Sequence, residues 1–134
     1  MINDAFKAAL LALMSGTPQF PAYLAVGNGG DLDLAGDDTG ARYAPVATET
    51  AMRAELGRFG LSYEISGTNV IYRAIVPPYS LIGEDINEFG LLDSDGNLLQ
   101  HHIPAADETG RASAYTKTDA VRWQITITVT VGMS

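Results

Sequence analysis

The residues with the clearest chemical potential lie in "GEDINEFGLLDSDGNLLQHH", Gly83 to His102, where Glu84, Asp85, Glu88, Asp93 and Asp95 precede the chain's two histidines, His101 and His102. Carboxylates beside imidazoles can do acid–base chemistry or hold a metal. On a strand, however, neighbouring residues point to opposite faces. His101 and His102 therefore cannot ligate one ion without a break in the strand, and they read as surface or rim histidines. "DSDGN" is similar to the start of a calcium loop, which ends in a bidentate Glu; the matching position counted from Asp93 holds Pro104, so the pattern fails. Asp and Gly are also what a tight turn requires, and Asp93 to Gly96 reads as one. Glu84, Asp85 and Glu88 lack the defined cleft and separation that paired glycosidase acids need. They read as an exposed strand edge whose charges discourage stray pairing.

Asp31, Asp33, Asp37 and Asp38 are crowded in "DLDLAGDD" and read as a solvated acidic loop, with a weak calcium site as the alternative. "GNGG" has neither the Lys nor the strand–loop–helix order of a phosphate loop. The chain has no cysteine, which removes disulfides, thiolate metal sites and cysteine nucleophiles. No catalytic constellation, metal or cofactor is expected.

The supporting elements must fit in 134 residues, the size of one domain, 1–134. Eight Lys and Arg face sixteen Asp and Glu, a formal charge of −8. The cations are scattered singly, so nucleic acid is not an expected partner. No apolar run reaches the ~20 residues of a membrane span, so no membrane partner is expected. "MINDAFKAALLALMSG" carries Asp4 and a single cation, Lys7, against the pattern of a signal peptide. It reads as a mature helix of a protein made in a cytoplasm.

In that helix, Ile2 to Met14, the apolar residues Ile2, Phe6, Ala9, Leu10 and Leu13 recur at three- and four-residue spacing. Gly16 and Pro18 end it. Ala22 to Gly30 reads as a short strand entering a Gly-rich turn, Asp31 to Pro45 as a long loop, and Thr48 to Leu56 as a short helix capped by Thr48. From Arg58 the period becomes two: Phe59, Leu61, Tyr63 and Ile65 alternate with polar residues or Gly, and "SGTN" turns the chain into a strand from Val70 to Val76. Ile86 to Leu92 and Asn97 to Ile103 form a hairpin, followed by a Pro104–Gly110 loop. In "VRWQITITVTV", Val121, Trp123, Ile125, Ile127, Val129 and Val131 share one face, against Arg122, Gln124, Thr126, Thr128 and Thr130. The expected fold is mainly β: an antiparallel β-sandwich with an N-terminal α-helix packed against it and one short helix.

The order of the blocks resembles a known family. "FKAALLALMSGTPQFPAYLAVGNGG", "TETAMRAELGR", "NVIYRAIVPP", "INEFGLLDSDGNLL" and the terminal "WQITITVTV" are similar to the N-terminal module of bacteriophage tail-collar fibre proteins and to small virion proteins of that pattern. The resemblance implies a non-enzymatic virion structural protein: a tail fibre-attachment, baseplate or collar adaptor present in several copies. Its implied partners are other phage tail, baseplate or collar proteins and copies of itself, as a trimer or a multiple of one. The expected location is the virion. Candidate interface residues are Lys7, Leu11 and Met14 on the helix, Asp31, Asp33 and Tyr43 in the first loop, Asp107 in the second, and Thr126 and Thr128 on the last strand. The alternatives are a capsid decoration or head-fibre base protein, and a carbohydrate-binding module. For the latter, Trp123 and the tyrosines would be platforms, although Tyr63, Tyr72 and Trp123 lie in core-facing registers.

Overall fold

The computed structural model describes residues 21–130. The helix expected over Ile2 to Met14, with Lys7, Leu11 and Met14, lies outside the described residues, as does Val131. Within them the protein is mainly β, its strands all paired antiparallel, with no helix.

A four-stranded sheet is built around β1 (Tyr23–Gly27), which pairs with β2 (Glu55–Gly60) on one side and β6 (Glu88–Leu92) on the other; β7 (Leu98–His102) completes it. A three-stranded sheet runs in the order β3 (Ser62–Ser66), β4 (Asn69–Val76), β9 (Trp123–Thr130). Two short strands, β5 (Asp85–Ile86) and β8 (Tyr115–Thr116), pair separately. A single residue, Leu61, separates β2 from β3, so the chain passes from one sheet to the other almost without a loop.

Both larger sheets contribute to one core. Leu24 and Val26 of β1, Leu91 of β6 and Leu99 of β7 pack with Tyr72 and Ala74 of β4 and Val129 of β9. Each fully buried aliphatic side chain contributes roughly 1.5–3 kcal/mol. A smaller cluster on the other face of the four-stranded sheet joins Ala25, Leu92 and Leu98 with Tyr23 and Met52. β1 and β6 are thus covered on both faces.

The alternation read in the last strand holds over Trp123 to Thr130: Ile125, Ile127 and Val129 face inward, and Gln124, Thr126, Thr128 and Thr130 are exposed. Val121 precedes the strand and is exposed. Thr128→Lys should therefore leave the melting temperature within a few degrees of the parent, since exposed substitutions typically change stability by about 0.5 kcal/mol or less. Val129→Lys, one residue on, places a charge in the shared core and should cost several-fold more. Equal melting curves for the pair would overturn this register.

The sequence pattern misleads at three places. The helix expected over Thr48 to Leu56 is a series of turns leading into β2. Its N–H groups at Arg53 and Ala54 donate to the Glu88 carboxylate instead of a helical ladder, so a long-range partner overrides local propensity. Tyr63 has the core-facing register, opposite Tyr72, yet is 66% exposed. Ile65, opposite Val70, is 70% exposed. The core register is necessary for burial but not sufficient, because nothing among the described residues covers β3 on that face.

Candidate functional site

The densest set of chemistry-bearing groups is buried on the outer face of the four-stranded sheet. Glu88 opens β6 and His101 lies on β7, where β6 and β7 are paired neighbours. His101 Nε2 lies 2.8 Å from Glu88 Oε2, and its Nδ1 lies 3.2 Å from Glu49 Oε2. Arg53 in turn binds Glu49 through two nitrogens, at 2.6 and 3.0 Å. Glu88 is 0% and His101 1% exposed. This corrects two expectations: His101 is not a rim histidine, and Glu88 is not an exposed edge charge. His102, Glu84 and Asp85 are exposed as expected.

A buried carboxylate costs several kcal/mol unless its oxygens are satisfied, and those of Glu88 are. Oε1 accepts the N–H groups of Gly29 and Ala54 at 3.2 and 3.0 Å; Oε2 accepts that of Arg53 at 2.6 Å. Next to it, Asn87 Oδ1 accepts the Gly30 N–H at 2.9 Å. This accounts for the glycines of "AVGNGG": a Cβ on Gly29 would stand 2.6 Å from Glu88 Oε1 and 2.9 Å from the Ala54 nitrogen. Burial pushes the Glu88 pKa up, but the bonds from His101 and from the Arg53 and Ala54 N–H groups outweigh it and hold the group below its ordinary value. Glu49 is likewise lowered, burial being outweighed by Arg53, the Val46 N–H and His101.

Arg53 carries the connection outward. Its guanidinium donates to the carbonyls of Leu32, Tyr43 and Ala44 and lies 4.8 Å from the centre of the Tyr43 ring. Tyr43, expected at an interface, thus serves an internal contact. The segments "LAVGNGG", "TETAMRAELGR" and "INEFGLL", far apart in sequence, meet at this one carboxylate–imidazole–carboxylate–guanidinium clasp. Glu88 and His101 are almost fully buried, and the arrangement ties together the loops that carry Gly29, Glu49 and Arg53.

The first loop is tied to the second. Arg42 donates to the carbonyls of Ile103 and Pro104, each at 2.8 Å, and its own N–H to Gly110 at 2.7 Å. Asp31 accepts the Ala112 N–H at 2.8 Å and pairs with Arg111 at 3.2 Å. Asp33, Asp38 and Asp107 accept N–H groups of their own turns. Of the sequence-predicted interface residues, Asp31, Asp33, Tyr43 and Asp107 therefore belong to two linked loops, whereas Thr126 and Thr128 stand on the exposed face of β9. Among the described residues, no group of three or more His, Asp or Glu is placed to hold a metal ion.

Sequence reasoning also missed Lys117. It is 0% exposed, and its Nζ donates to the carbonyls of Pro77, Pro78 and Ser80 at 2.7, 2.6 and 2.8 Å. The nearest signal is the pair of prolines, which ends β4 and leaves a tight turn whose carbonyls need a donor. Lys117→Met keeps the stem but removes that donor, and should cost about 1–3 kcal/mol for the groups left unsatisfied, read as a lower urea midpoint at unchanged slope.

No family model, curated protein or solved structure matches the chain.

Proposed function

We propose that this chain is a non-enzymatic structural component of a bacteriophage virion: a β-sandwich with its N-terminal segment packed on it, acting as a tail fibre-attachment, baseplate or collar adaptor in several copies. The observation that carries the reading is the clasp at Glu88. The segments on which the resemblance to tail-collar modules rests are the ones joined there, and the groups best suited to chemistry are spent on holding loops in place. The linked loops at Asp31 to Pro45 and Pro104 to Gly110 and the uncharged outer face of β9 are surfaces offered to neighbours.

Cryo-electron microscopy of purified particles, with mass spectrometry of their proteins, tests this. The expected result is density for this fold at the tail in a fixed multiple of copies. Absence of the chain from particles overturns the reading, and density on the head supports a capsid decoration protein instead. Tyr79 and Tyr115, at 85% and 56% exposed, favour a second reading as a glycan-binding module. Saturable binding on a glycan array, lost in Tyr79→Ala, would support that reading.

A further inference from the structure

Among the described residues the three-stranded sheet ends in two strands without an outer partner, β3 and β9, and both are thinly guarded against pairing. Folded proteins guard an edge with Lys, Pro, bulges or brevity. β9 runs eight residues with no charged side chain, no proline and an unbroken register against β4. β3 has one charge, Glu64, matched by Arg73 of the same sheet at 3.1 Å.

The two larger sheets are also offset. At the β3 end the three-stranded sheet overhangs, leaving Tyr63 and Ile65 with core-facing registers and little cover. At the β9 end the reverse holds. A groove of about 530 Å³ lies between Trp123, Ile125 and Ile127 of β9 and Phe89 and His102 of the facing sheet, with Tyr115 at its side.

We propose that β3 of a second copy of this chain pairs with the edge of β9 that no described strand occupies, and places its Tyr63 and Ile65 in that groove. The inference rests on the multicopy reading above and names the contact that reading needs. The occupant is a strand because an extended segment can pair along its whole length with the outward N–H and C=O groups of a sheet edge. The face is right: Tyr63 and Ile65 lie on the same side of their sheet as Ile125 and Ile127, so a β3 added beside β9 directs them into the groove. The direction is right as well. β3 and β9 both run opposite to β4, so copies related by rotation about the strand direction bring β3 of one alongside β9 of the next in parallel.

Charge agrees too. Copies of net charge −8 repel one another, and this junction joins an uncharged strand to one whose single acid is already paired. Each junction uses different surfaces of its two copies, the arrangement that closes into a ring when the rotation permits.

The test uses the full chain, native mass spectrometry and the emission of Trp123, the only tryptophan. The parent is expected to form an oligomer of three or more copies at micromolar concentration, with blue-shifted emission. Ile65→Asp and His102→Asp alter exposed positions on opposite sides of the junction. Each should give a folded monomer with red-shifted Trp123 and a melting temperature within a few degrees of that of a parent sample diluted to monomer. Mixed together, they should form heterodimers and nothing larger, because one intact junction remains.

An oligomer that survives either substitution overturns the junction while leaving the multicopy reading standing. A monomeric parent whose Trp123 is already blue-shifted overturns it by placing a segment of the same chain in the groove. A monomeric parent with red-shifted emission overturns it by leaving the groove empty. Whether the chain is found in particles is read separately and bears on the virion reading alone.

Discussion

Glu88→Ala is expected to destabilise the fold by about 3–5 kcal/mol, because it leaves several buried donors without an acceptor at about 1–3 kcal/mol each. Domains of this kind have total stabilities of about 5–15 kcal/mol, so the variant should be largely unfolded or should unfold at very low urea. The cost arises because the carboxylate is a hub. It accepts N–H groups from Gly29, Arg53 and Ala54 and the His101 imidazole. With it gone, those donors stay in a site where Glu88 and His101 had almost no solvent contact. Glu88→Gln keeps the shape and some acceptor capacity but loses the charge, and should fall between parent and Ala. Urea unfolding followed by Trp123 emission measures all three. A loss below about 1 kcal/mol for Glu88→Ala would mean that the loops are held by other contacts.

The clasp also shows what a sequence reveals and what it withholds. β9 was legible because a half-buried strand writes its environment into a period of two, residue by residue. The Asp93 to Gly96 turn was legible for a similarly local reason. Asp93 Oδ1 accepts the N–H groups of Asp95 and Asn97, and Gly96 sits at φ 87. Glu88 was not legible, because its partners are distant in the chain: its carboxylate reaches Gly29, fifty-nine positions away. There was a local hint. Glu88 shares a strand face with Gly90 and Leu92, both buried, and an acid in such company must be paired. The sequence could not say with what. His101 was misread for the same reason, since adjacency to His102 fixes only that the two face opposite ways, not which face is covered. Tyr63 shows the converse: its register was correctly read and its exposure was not, because cover is a property of the neighbouring sheet.

Internal use of the acidic groups makes the fold's pH response distinctive. Both Glu88 and Glu49 have folded-state pKa values held below the ordinary 4.5. An acid depressed in the folded state stabilises the fold fully above its unfolded pKa and loses that contribution as pH falls through the folded one. The parent should therefore keep its stability down to about the ordinary carboxylate value. Below it, stability should fall at up to about 1.4 kcal/mol per pH unit for each of the two carboxylates. Asp38 and Asp107 are also lowered, by turn N–H and hydroxyl donors, and titrate in the same direction. They are on the surface, so their share is small and salt-sensitive. The Glu49→Gln variant separates the two sources: a buried clasp predicts that it removes close to half of the acid slope, and that added salt changes the remainder little. If the slope in urea midpoint against pH is unchanged in the variant, the acid sensitivity belongs to the exposed loops and the clasp is not what acid opens.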